Sequence, residues 1–140
     1  MVRMAWDRGP IPIMEKARDD LDWFKAILFS AIQLERHGYF AIKEYFESLN
    51  VDAKLIDKIL KRIHLFQIAE YLLAIGKING EECETIKQIN EERNKFMHRR
   101  EIKGFARGTE ADNKYKPLVN EAIRILKEKF NVVRLHVSKG

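Results

Sequence analysis

The sequence predicts an all-α fold, an antiparallel bundle of about four long helices with a short irregular N-terminus and a C-terminal tail. Three observations lead there. Apolar residues recur at three- and four-residue steps through four stretches. Gly, Asn and Asp cluster between those stretches, where helices stop and restart. Alternation of the strand type is confined to 132–137, and a lone strand has no partner to pair with.

The elements follow in order. Residues before Met14 read as irregular, with Gly9-Pro10 and Pro12 as breakers. A long helix is predicted over 14–49, carried by Leu21, Phe24, Leu28, Ala31, Ile32, Glu35 and Tyr39, with Gly38 a point of splitting or kinking. Asn50-Val51-Asp52 is a stop and restart, with Asp52 as N-cap. A second helix is predicted over 53–75 on Leu55, Ile56, Ile59, Ile63, Phe66, Ala69 and Leu73, ended by Gly76 and the Asn79-Gly80 turn. A third, over 81–100, opens with Glu81, Glu82 and Glu84 and closes with Arg99 and Arg100, in the order that the helix dipole favours. Residues 102–109 hold Gly104 and Gly108 and read as a loop. A fourth helix is predicted over 111–130, with a kink or its true start near Pro117.

At 140 residues, 46% of them apolar, the chain is expected to form a single domain spanning 1–140, with its core at about 14–130. The single cysteine, Cys83, excludes an internal disulfide framework and a cysteine-rich zinc site, and it lacks neighbours that would activate a thiolate. A reducing cytoplasm is the expected setting. Residues 1–7 lack the basic-then-apolar pattern of a signal peptide. The most apolar window, 21–34, is interrupted by Asp22, Lys25 and Gln33, so no membrane span is expected.

The net charge is +5, and its placement is informative. Between 93 and 107 lie Arg93, Lys95, Arg99, Arg100, Lys103 and Arg107 against Glu101, six minus one, which equals the excess of the whole chain. A local basic cluster is the footprint of a phosphate-binding surface, and it is equally the pattern of a solvated helix end.

On a helical wheel of the third helix, Ile86, Ile89, Phe96 and Met97 form an apolar stripe with Arg93 in its middle. An arginine there must either pair with an acid, such as Asp19, Asp22 or Glu35, or face a cleft or subunit interface and meet an anionic ligand. Asn94 and His98 are four apart and share the adjacent face. Arginine can clamp a phosphate through two parallel hydrogen bonds, histidine can move protons near neutral pH, and the amide can orient the imidazole. These are the parts needed to cleave a phosphodiester without a metal. Arg93 and His98 lie five residues apart, so about 140° separates their directions on an ideal helix. Convergence then requires the reach of the arginine, a distorted helix or a second subunit.

The remaining groups suggest less chemistry. His37, His64 and His136 are scattered, without metal-ligand spacing, and the chain has no glycine-rich phosphate loop, so no cofactor is expected. The aromatic residues Trp23, Phe24, Tyr39, Phe40, Tyr45 and Phe46 read as core and dimer contacts.

The segment Arg93-Asn94-Lys95-Phe96-Met97-His98 reads R-N-x-x-x-H late in a helix of a small helical protein. In this it resembles the HEPN superfamily, whose signature is an Arg, usually a polar residue, a short spacer and a His. The resemblance implies an all-helical, homodimeric fold with the two motifs facing across a cleft. It also implies a metal-independent endoribonuclease of the toxin, defence or RNA-processing kind. On that footing Arg93, Asn94 and His98 are the catalytic candidates. Lys95, Arg99, Arg100, Lys103 and Arg107 are the RNA-binding ones. The implied partners are RNA, a second copy and a nucleotidyltransferase-type antitoxin. One toxin branch carries a Tyr for modification two positions after the His, and here that position is Arg100. Two other readings stay open: a non-catalytic module of the same family binding RNA or nucleotide, and a helical interaction partner of a nucleotidyltransferase.

Overall fold

The computed structural model describes residues 9–98 and 107–132. Among them the chain is all-helical, in six helices. These are α1 (Pro10–Asp19), α2 (Trp23–Ser48), α3 (Ala53–Ile59), α4 (Leu65–Ala74), α5 (Gly80–His98) and α6 (Thr109–Lys129). The long α2 is central and packs against each of the other five, while α5 also packs on α4 and α6.

Two of the expected long helices are each divided. The first breaks after α1, whose start contains the prolines expected to be breakers. Proline suits the first turn, where its missing N–H would be unpaired anyway. Leu21 closes α1 with a left-handed backbone (φ 58°). Its N–H donates to Arg18 O, and that of Asp22 to Ala17 O. This is a Schellman ending, normally made by glycine. Asp22 then caps α2 through a hydrogen bond from Lys25 N. Asn50 (φ 64°) and Gly76 (φ 78°) make the same ending on α2 and α4.

Helix α2 runs through Gly38 without a break. The glycine is there for proximity: a Cβ would stand 2.5 Å from Ile68 Cγ2, so its absence lets α4 approach. The second division, at residues 60–64, resets the helical phase. Of the expected set, Ile56 and Ala69 are buried while Leu55, Ile59, Phe66 and Leu73 are exposed, and α4 also buries Leu65, Ile68 and Leu72. Asp52 caps α3 as expected, accepting from Lys54 N and Leu55 N. Pro117 lies inside a continuous α6, not at its start.

The core joins Ile27, Ala31, Leu34 and Ile42 of α2 to Ile68 and Leu72 of α4, Ile86 and Ile89 of α5, and Val119, Ala122 and Leu126 of α6. At one end an aromatic group closes it. Phe96 sits 5.5 Å from both Phe24 and Tyr115, and Trp23 donates to Asp112 Oδ1 at 2.8 Å. Of the other aromatic residues read as core or dimer contacts, Tyr39 and Phe46 are half-buried, whereas Phe40 and Tyr45 are exposed.

Candidate functional site

Helix α5 carries the motif, and its two halves are built differently. Its N-terminus is a capping box: Glu82 N donates to Asn79 Oδ1 and Asn79 N to Glu82 Oε1, both at 2.8 Å. The Glu82 side chain is buried and meets Arg124 at 2.9 Å and Lys129 at 3.8 Å, so α5 is pinned to α6. Burial pushes the Glu82 carboxyl up, but its hydrogen bonds from Asn79 and Arg124 outweigh that and hold it below the usual range. Hydrogen bonds to Glu121, Glu82 and Glu128 in turn raise the Arg124 pKa.

Further along, the buried face of α5 is Cys83, Ile86, Ile89, Glu92 and Phe96. It includes Glu92 and omits Met97, which is 53% exposed. The expected stripe is thus turned by one position, and Arg93 lies at its half-buried edge rather than at its centre. The cause is Glu92, whose 3%-exposed side chain accepts from Tyr115 OH at 3.0 Å and meets Lys114 at 3.2 Å and Lys95 at 3.3 Å. A buried carboxylate is tolerated when it is paired and hydrogen-bonded in this way. Burial raises its pKa, but the contacts from Lys114, Tyr115 and Lys95 prevail and leave it below the ordinary value. Burial and the nearby Glu92 charge push the Tyr115 phenol up to about 12.

Arg93 does not pair with Asp19, Asp22 or Glu35. Among the described residues its guanidinium has no carboxylate partner and instead donates from Nη2 to Asn90 Oδ1 at 2.8 Å. Asn90 is the residue that the sequence reading missed; its spacing of three from Arg93 is the signal that marks it. Asn90, Asn94 and His98 follow one another at four-residue steps and form a row along one face. Arg93, tied to Asn90, belongs to the same row. Asn94 and His98 are exposed, and among the described residues neither is hydrogen-bonded or ion-paired.

Within this chain Arg93 and His98 do not converge. The guanidinium leans one turn towards the N-terminus, whereas His98 lies beyond Asn94 on the other side. From Asn90 to His98 the helix rises about 12 Å. Lys95 is drawn to Glu92 and, at 3.6 Å, to Glu91. Arg107 is exposed ahead of α6. Arg99, Arg100 and Lys103 lie outside the described residues, as do His136 and the alternating segment at 133–137.

Beside the row, a cleft of about 630 Å³ lies along α5 and reaches Phe66 of α4. Two other grooves, of about 470 and 310 Å³, flank Arg36 and Phe40 on α2 and are mainly apolar in their lining. His37 lines the larger of these, where burial and the neighbouring Arg36 lower its pKa. No helix among the described residues is long and apolar enough to cross a membrane, and no three of their His, Cys, Asp or Glu side chains gather as if to hold a metal ion.

Compared with family models, curated proteins and solved structures, the chain matches none. The functional reading therefore rests on the site itself.

Proposed function

We propose that the protein is a homodimeric, metal-independent endoribonuclease of the HEPN type, with a toxin, defence or RNA-processing role in the cytoplasm. The antiparallel bundle arrangement of that family belongs to the same reading. The observation that carries it is the row Asn90, Asn94, His98 with Arg93 tied to its first member. On a helix whose other charges are largely neutralised, these groups remain available to a ligand.

The row has a register that suits a two-fold partner. Asn94 lies midway between Asn90 and His98. If a second α5 packs antiparallel about an axis at Asn94, the Arg93–Asn90 pair stands opposite His98 of the partner subunit. The distance that separates Arg93 from His98 within one chain then becomes the means of bringing them together between chains.

In such a site Arg93 clamps the scissile phosphate with its free donors and stabilises the charge that develops on it. His98 takes the proton from the adjacent 2′-hydroxyl as that oxygen attacks phosphorus. The P–O5′ bond breaks, and the proton passes to the leaving 5′-oxygen. The products are a 2′,3′-cyclic phosphate and a 5′-hydroxyl. Asn94 orients the phosphate or the imidazole, while Arg99, Arg100, Lys103 and Arg107 gather the RNA backbone.

The test is RNA cleavage by the pure protein in EDTA, beside Arg93→Ala and His98→Ala. Cyclic phosphate ends from the wild type and their loss in both variants are the expected outcome. Absence of cleavage across diverse RNAs, with the protein folded and dimeric, sinks the nuclease reading and leaves a binding module of the same type.

A further inference from the structure

The cleft beside the row differs in character from a phosphate site. It is lined on α5 by Glu84, Lys87, Gln88 and Glu91, is closed by Phe66 of α4, and has Asn90 and Asn94 on its wall. It is an open surface hollow of about 630 Å³, and its lining is mainly polar. Lys87 is already engaged: its ammonium lies 3.3 Å from Glu70 and 4.5 Å above the Phe66 ring. Glu84 lies 4.0 Å from the same ammonium and Glu91 lies 3.6 Å from Lys95, so the lining holds no uncommitted cation for a phosphate.

What it offers is amides and a ring. Gln88 and Asn94 each present a donor and an acceptor side by side, and Asn90 keeps its NH₂ free while its Oδ1 holds Arg93. Paired donors and acceptors of this kind match the edges of unstacked bases, and Phe66, 45% exposed, adds an aromatic surface for stacking. Because Asn90 and Asn94 belong both to the cleft and to the row, a base held here places its own phosphate towards Arg93.

We propose that this cleft is a nucleobase subsite, which takes adenine or cytosine in preference to uracil. This rests on the RNA-cleaving reading above and gives it a sequence preference. The discrimination comes from Glu84 and Glu91. A carboxylate only accepts hydrogen bonds, so it favours the exocyclic amino groups of adenine and cytosine. Uracil has no such group: it offers only its N3–H, flanked by two carbonyl oxygens that those charges repel.

The experiment is equilibrium binding of the full chain to 2′-O-methyl tetramers of A, C and U, which lack the attacking hydroxyl and stay intact. The A and C tetramers are expected to bind about five- to tenfold more tightly than U. Glu84→Gln with Glu91→Gln should bring A and C down to the level of U, whereas Gln88→Ala and Phe66→Ala should each weaken all three. All four side chains lie at the surface or on the cleft wall, and circular dichroism checks that each variant keeps its helix content. Equal affinity for the three tetramers, no measurable binding of any, or a preference that survives the double glutamine variant would overturn the proposal. Cleavage in EDTA is a separate readout. Cleavage without base preference removes the subsite and leaves the nuclease, whereas base preference without cleavage does the reverse.

Discussion

The two ends of α5 treat charge in opposite ways. At the N-terminal end, Glu82 is buried, capped by Asn79 and held by Arg124 and Lys129. The Glu82 carboxylate is answered on both oxygens, and the product is rigidity between α5 and α6. At the C-terminal end, among the described residues, Arg93 has only an amide to hold it, and Asn94 and His98 have no partner. Glu92 is adjacent to Arg93 in the chain yet belongs with Glu82, since Tyr115, Lys114 and Lys95 neutralise it. The lesson is that polar groups on this helix divide by whether a partner from a neighbouring helix reaches them. Those that are reached build the fold, and on the proposed reading Asn94 and His98 are kept for a ligand.

Substitutions at the two ends should therefore separate activity from stability. The largest effect is expected for His98→Ala, which should lower the RNA cleavage rate about 10²–10⁴-fold. Arg93→Ala should cost about 10²–10³-fold in the same assay. Denaturant titration should find both within about 0.5 kcal/mol of the wild type, because neither removes a buried contact network. Glu92→Ala should do the reverse. It strands the Tyr115 hydroxyl in the core and should destabilise by about 2–4 kcal/mol. A Glu92→Ala protein as stable as the wild type would erase the distinction drawn between the neighbours 92 and 93.

Asn90→Leu probes the boundary between the two classes. It keeps the size of the side chain but releases the guanidinium. Cleavage is expected to fall about tenfold, since loss of a positioning hydrogen bond costs about 1–1.5 kcal/mol. The loss should appear in the turnover rate and leave stability unchanged. An Asn90→Gln variant should recover part of the rate.

The smallest effects concern pH. Glu82 and Glu92 both have carboxyls held below their ordinary value of 4.5 in the folded chain. The stability that they contribute is present above that value and is lost as the pH falls through the lower folded values. At the alkaline end the Tyr115 phenol, ordinarily at 10, is pushed up to about 12. The folded state keeps a proton that the unfolded chain releases, so this contribution is intact below pH 10 and disappears between pH 10 and 12. Unfolding free energies measured across pH 3–6 and 9–12 should show both slopes, and Tyr115→Phe should reduce the alkaline one, to which Tyr39 also contributes.

Local signals in the sequence were reliable where the chemistry was local. Asp52 caps α3, Gly76 closes α4, and Glu81 and Glu82 open α5, as their residue types require. The motif residues fall on one helix, and Asn94 and His98 share a face. The same reading missed the end of α1, because Leu21 performs there what Asn50 and Gly76 perform elsewhere. Leucine has no intrinsic preference for a left-handed backbone, so nothing in its identity announces the turn. The division at 60–64 was equally hidden, since apolar residues continue across it and only the resulting change of phase reveals it.

The sequence by itself determined the all-helical class, most of the caps and the placement of Arg93, Asn94 and His98 on one helix, because these depend on neighbours within a turn or two. The tertiary structure decided which side of that helix is buried. The stripe read from the sequence leaves Glu92 out and puts Arg93 at its centre. The order is reversed by Tyr115 and Lys114, more than twenty residues away, whose hydrogen bonds make a buried carboxylate stable. The link from Arg93 to Asn90 was likewise settled in three dimensions, since with no acid in reach among the described residues the guanidinium turned to a nearby amide.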